Sequence, residues 1–183
     1  MRTLVHTLPL AAAILLAACS GGDADTDGDG EVSGAELAEE AEGMIQPLPG
    51  QYRAALELLE FEAPGVPDSA RQQMQQIFAS SMAEGNTFCM TEEDVARNGA
   101  EEMVKSMAEG DCTMKSFNVA GGDISAEMQC TSEGTPASTV RMDGQIGAES
   151  STMTMEMEQD IPEMGATRMK MRVTSQRIGD CTA

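Results

Sequence analysis

The chain is nearly devoid of the residues on which most enzyme chemistry depends. Among 183 residues there is one histidine, His6, no tryptophan, and five aromatic residues: Tyr52, Phe61, Phe78, Phe88 and Phe117. His6 lies in an N-terminal export signal, so the mature chain is expected to have no imidazole. That excludes histidine-based triads, His-ligated zinc and histidine haem ligation. Positive charge is also scarce, with 11 basic against 31 acidic residues and a net charge of −20. Nucleic acid and anionic surfaces are therefore poor partners and cations good ones. Long apolar runs are missing too, because Leu8 to Ala18 is too short to span a bilayer. Paired carboxylates could hydrolyse a glycoside, but sugar sites want stacking aromatics that the chain lacks. A non-catalytic protein is expected, and no catalytic residue is assigned.

Residues 1–18 carry the marks of that signal: Arg2, a short apolar stretch, and small residues before the cut. Leu16-Ala17-Ala18-Cys19 resembles the bacterial lipobox, which implies a mature chain starting at an acylated Cys19. Three acyl chains would hold it stably, where one would hold it marginally. Ser20 after the cysteine resembles the outer-membrane sorting pattern of Gram-negative lipoproteins. Residues 19–24 form the lipid-anchored tether, and the expected location is the periplasmic side of the envelope. Removing residues 1–18 takes away one basic residue, leaving 10 against 31, a net charge of −21.

Next comes an acidic run with a specific spacing. Asp25 to Glu36, DTDGDGEVSGAE, places Asp25, Asp27 and Asp29 at the first, third and fifth positions of a twelve-residue EF-hand loop. Gly30 stands at the sixth, where the chain turns sharply. Glu31 ligates through its carbonyl at the seventh, and Val32 is the apolar eighth residue. Ser33 is the ninth, and Glu36 the bidentate carboxylate at the twelfth. The ligand implied is Ca2+. Leu37 to Met44 reads as a short exiting helix, so residues 25–46 form half an EF-hand. No second loop is available to pair with Val32, and weak affinity is expected, in the ~10⁻⁴ to 10⁻³ M range.

Pro47 to Gly50 marks the boundary of a larger unit, residues 47–183. Gln51 to Glu62 reads as a strand. A helix capped by Asp68 runs to about Glu84, with Ala70, Met74, Ile77, Phe78 and Met82 on one face. A second helix begins at Thr91 to Asp94, breaks at Asn98 and Gly99, and resumes to Glu109.

From Cys112 the pattern alternates with period two, and its register can be inferred. A hairpin centred on Gly121 sets Cys112 opposite Cys130, Met114 opposite Met128 and Lys115 opposite Glu127. One centred on Glu163 sets Met155 opposite Met171, Met157 opposite Met169, Glu156 opposite Lys170 and Glu158 opposite Arg168. A four-residue connection after Ile146 sets Met142 opposite Met155, Val140 opposite Met157 and Arg141 opposite Glu156. Apolar pairs on one face and opposite charges on the other emerge together, and a one-residue slip would invert both. The fold class is therefore α+β: an antiparallel meander sheet with one methionine-rich buried face and one or two helices after the first strand.

With Cys19 acylated, four cysteines remain in an oxidising compartment, and two disulfides are expected. Three connectivities are open; the hairpin symmetry favours Cys112–Cys130, leaving Cys89–Cys181.

Short segments in this order resemble an uncharacterised family of secreted proteobacterial proteins, the domain-of-unknown-function family thirty-six seventeen. They are Pro49-Gly50-Gln51-Tyr52, Cys89-Met90-Thr91-Glu92-Glu93, the Cys112 and Cys130 pair, and Arg177-Ile178-Gly179-Asp180-Cys181. The resemblance covers about residues 47–183, and Tyr52 stands where the family usually has tryptophan. It implies a periplasmic, disulfide-bonded domain and carries no catalytic residues.

Two further readings remain open for the methionines. Met153, Met155, Met157, Met169 and Met171 present thioethers, soft ligands suited to Cu(I) or Ag(I). Such a face could instead hold an apolar ligand such as a lipid, or simply fill a core, since methionine packs adaptably.

Overall fold

A computed structural model describes residues 24–82, 85–97, 111–132 and 134–181. Ten elements follow one another: α1 (Gly34–Ala41), β1 (Gly50–Glu62), α2 (Asp68–Met82), β2 (Asn86–Met90), α3 (Glu92–Arg97), β3 (Cys112–Ala120), β4 (Asp123–Ser132), β5 (Thr135–Ile146), β6 (Ser150–Ile161) and β7 (Gly165–Gly179). The strands form one seven-stranded sheet in the order β2-β1-β7-β6-β5-β4-β3, and every neighbouring pair is antiparallel. From β3 to β7 it is a plain meander, and β1 returns to pair with β7.

Two of the three hairpins have the register the alternation implies. Met155 faces Met171, Met157 faces Met169, Glu156 faces Lys170 and Glu158 faces Arg168. Met142 faces Met155, Val140 faces Met157 and Arg141 faces Glu156. The third hairpin departs from expectation at one residue. Cys112 and Met114 meet Cys130 and Met128, but Ser116 rather than Lys115 faces Glu127. A β-bulge adds one residue to β3 between Met114 and Ser116, freeing Lys115 from the ladder. Its ammonium bonds Glu31 instead, at 2.8 Å. A two-residue turn at Gly121 and Gly122, both at positive φ, then closes the hairpin.

The charged face of the sheet alternates in sign from strand to strand. Glu57 on β1 meets Arg172 on β7; Lys170 and Arg168, also on β7, meet Glu156 and Glu158 on β6. Arg141 on β5 then bridges Glu158 and Glu127, the latter on β4, at 2.8 and 2.9 Å. Each pair is partly exposed and so individually weak, but the members share partners in a network. Hydrogen bonds first from Arg141 and then from Arg168 hold the Glu158 carboxyl below its ordinary range. A depressed carboxylate contributes stability that is complete above its unfolded pKa and lost as pH falls through the lowered folded value. Glu158→Gln is therefore expected to flatten the decline of the urea midpoint below pH 4.5, the ordinary carboxyl value. A decline as steep as the parent's would show that the network does not govern acid stability.

Burial is concentrated at two places among the described residues. Tyr52, Phe61 and Ala63 are buried around β1, where Phe78 of α2 lies 6.2 Å from Phe61, ring centre to ring centre. Ile77, expected on the packed face of α2, is 58% exposed. A larger cluster joins Ala24, Val32, Leu37 and Ala41 to Met114, Phe117, Ile124 and Ala126 of β3 and β4. The methionines of β5, β6 and β7 are only half-buried, so the expectation of a buried methionine face is corrected to a partly covered one. Of the methionines, Met114 alone is buried among the described residues, because the loop and α1 pack over that end of the sheet.

Both disulfides have the expected partners: Cys112–Cys130 links β3 to β4, and Cys89–Cys181 links β2 to the chain just after β7. Cys89, just ahead of the helix expected from Thr91, stands in β2, a strand not foreseen from the sequence. The helical stretch expected to resume to Glu109 lies outside the described residues, as do the signal segment, Cys19 and the start of the tether.

Candidate metal centre

The loop from Asp25 to Glu36 folds through its own side chains. Asp25 accepts hydrogen bonds from the amides of Gly28 and Gly30, Asp27 from that of Asp29, and Asp29 from that of Glu31. Each carboxylate thus turns the backbone back on itself, as aspartate does in tight turns. Gly30 has φ +84°, a conformation costly for a residue with a Cβ. As a result one carboxylate oxygen from each of Asp25, Asp27 and Asp29 lies within 4.8 Å of the others. No salt bridge engages these three among the described residues.

Ser33 starts α1 as its N-cap and forms a capping box with Glu36: the Ser33 hydroxyl accepts from the Glu36 amide, and the Glu36 carboxylate accepts from the Ser33 amide. That carboxylate also accepts from the amide and hydroxyl of Thr26, at 2.9 and 2.7 Å. These bonds, led by the Thr26 hydroxyl, hold its pKa at about 2. The structure therefore brings three of the proposed ligands together and anchors the fourth carboxylate, Glu36, across the ends of the loop. It does not place Glu36 in the aspartate cluster. The Glu31 side chain turns away to Lys115, leaving its carbonyl as the group of interest.

The loop is attached to the sheet, a contact that no pattern within the loop foretells. The Ala24 amide donates to the Phe117 carbonyl and the Val32 amide to the Met114 carbonyl, each at 2.9 Å. The Val119 amide donates to the Glu40 carboxylate at 2.8 Å. Val32, expected to lack a partner, finds one on β3. The outer edge of the meander is thus occupied by the loop and α1 rather than left open, as unprotected edge strands invite association.

At the far side of the sheet three of the segments that carry the family resemblance form one structural clasp, while the Cys112 and Cys130 pair lies at the β3 side. The Arg177 guanidinium donates to the Pro49 carbonyl at 2.9 Å and pairs with Asp180 at 2.6 Å. A Cβ at Gly50 would lie 2.4 Å from Arg177 Nε, so only glycine lets the guanidinium pass. The Tyr52 hydroxyl donates to the Leu48 carbonyl at 2.6 Å, and burial raises its pKa above the ordinary phenol value. Cys89–Cys181 closes the same region. Arg177 and Tyr52 thus tie the main-chain carbonyls of Leu48 and Pro49 to β1 and β7. In the cleft bounded by Glu62, Glu158, Asp160 and Arg168, Glu158 is held by Arg141 and Arg168.

An antiparallel seven-stranded meander closed by two disulfides, with this clasp at one end, defines the class of domain. The chain belongs to the family described as "Protein of unknown function (DUF3617)", which it matches over residues 47–181. The loop and α1 precede the matched region. Neither a curated protein nor a solved structure matched the chain.

Proposed function

We propose that this is a non-catalytic, lipid-anchored protein of the bacterial cell envelope whose Asp25–Glu36 loop binds one Ca2+ weakly. The observation that carries the reading is the convergence of three aspartate carboxylates in a loop whose remaining positions are those a hard divalent ion requires. Asp25, Asp27 and Asp29 supply side-chain oxygens, Glu31 its carbonyl and Ser33 its hydroxyl or a water. Glu36 supplies the closing carboxylate by exchanging its bonds to Thr26 for the ion. A cation there relieves the repulsion among carboxylates held this close.

The reading gives calcium a structural task. The loop that would bind it also covers the β3 edge and contributes Val32 to the core, so binding favours the docked form. Cys19, only five residues before Ala24, would carry the acyl anchor and hold the protein to the membrane.

Calorimetric titration of the chain from Ser20 onward is expected to show one saturable event with a dissociation constant between about 10⁻⁴ and 10⁻³ M. Glu36→Gln should weaken it at least about tenfold. No saturable heat, or heat indifferent to Glu36→Gln, removes the proposal.

A further inference from the structure

The methionine distribution is not that of an ordinary core. The buried hydrophobic positions of the described residues are filled by Ala, Val, Leu, Ile, Phe and Tyr, with Met114 the lone methionine. Met142, Met153, Met155, Met157, Met169 and Met171 lie on the half-buried part of one sheet face, Met142 and Met153 at its margin against the buried cluster. Strands usually fill such positions with β-branched or aromatic side chains. On this face β6 offers Met153, Met155 and Met157 in succession.

Register makes these residues neighbours. Met142 faces Met155, and Met155 faces Met171, giving three thioethers in one row across β5, β6 and β7. Directly opposed positions have Cβ atoms about 4.5–5.5 Å apart, within reach of a common atom for side chains of this length. Met157 and Met169 form the adjacent row. On the other side Gly144 replaces a side chain on β5, and a Cβ there would lie 3.0 Å from Met153 Sδ. That sulfur therefore lies over the β5 backbone, one alternation from Met142. A glycine inside a strand often marks such a close approach.

We propose that Met142, Met155 and Met171, with Met153 beside them, form a thioether site for a soft monovalent cation, Cu(I) or Ag(I). Thioethers select such ions over the hard divalent ions that the acidic loop suits. The chain offers them little competition: the four described cysteines are all in disulfides, and His6, the sole histidine, precedes Cys19. The ion pairs on the opposite face hold β5, β6 and β7 in register, which fixes the spacing of the row. These methionines are half-buried rather than sealed in the core, and the net charge of −20 draws cations to the protein.

Ag(I) titration in chloride-free buffer, with saturating Ca2+ present and the chain starting at Ser20, tests the site without a reductant that would open the disulfides. One equivalent is expected to bind. Met155→Leu, which preserves apolar volume, should weaken binding at least about tenfold with an unchanged circular dichroism spectrum. Met74→Leu, on α2, should leave it unaltered. X-ray absorption of the Ag(I) form should show a sulfur-only shell. Absence of uptake, uptake indifferent to Met155→Leu, or an oxygen-containing shell overturns the assignment, the last two pointing to adventitious binding by surface carboxylates.

Discussion

Replacing Cys89 and Cys181 together by serine is expected to lower the unfolding free energy by about 4 kcal/mol. The bridge closes a loop of sequence separation 92. In the chain-entropy view a loop of that length restricts the unfolded chain by somewhat more than about 4 kcal/mol, reduced here because the Cys112–Cys130 loop is nested within it. The folded state adds a local reason. β2 is a five-residue edge strand paired, among the described residues, only with Gly50 to Ala54 of β1, and four of its five residues are exposed. Little apolar burial holds it, so the bridge carries much of its attachment. Hydrogen exchange should show β2 amides losing protection before those of β5 to β7. A loss of stability under about 1 kcal/mol, or uniform loss of protection, would show that the pairing with β1 suffices.

Leu37→Ala is expected to cost about 2–5 kcal/mol, the range for removing a buried leucine from a packed core. Leu37 has no solvent exposure and belongs to the cluster with Met114 and Phe117. The residue lies on α1, outside the matched family region, so the result also tests whether the segment before residue 47 is integral to the domain. A detached tether would tolerate the change within about 0.5 kcal/mol, the usual span for surface substitutions. Under the calcium proposal the same variant raises the apparent dissociation constant, because a docked loop populated less often binds less tightly. Denaturant midpoints with and without Ca2+ read both effects. Equal stability of Leu37→Ala and parent would sink the claim that the loop is built into the core.

The sheet was legible in the sequence wherever two periodic signals had to agree. Met155 and Met157 fix their partners on β7 only if Glu156 and Glu158 simultaneously find Lys170 and Arg168, and one register satisfies both. The clustering of Asp25, Asp27 and Asp29 was legible for a different reason: its geometry is local, set within a few residues. What escaped was whatever depends on one inserted residue or on distant partners. The bulge at Lys115 leaves no mark in an alternating pattern, because an extra residue looks the same as the next turn of the pleat. β2, with Asn86 and Thr87 leading into Phe88, is too short for alternation to declare itself. The hydrogen bonds from Ala24 and Val32 to β3 join residues far apart in the chain, and nothing in either segment alone announces them. Ile77 shows the opposite failure: a helical stripe can be read from spacing, but the width of the surface it meets cannot.

The attachment of Ala24 to Phe117 bears on how the domain would sit in the envelope. If Cys19 carries the acyl chains, the five steps from it to Ala24 can extend about 18 Å at most. The molecule would then ride close above the lipid headgroups with its β3 margin turned downward, instead of wandering on a long leash. Its opposite margin, where Arg177 clasps Pro49 and the Cys89–Cys181 bridge lies, would point away from the membrane. Whatever approaches from the aqueous side would meet that end first.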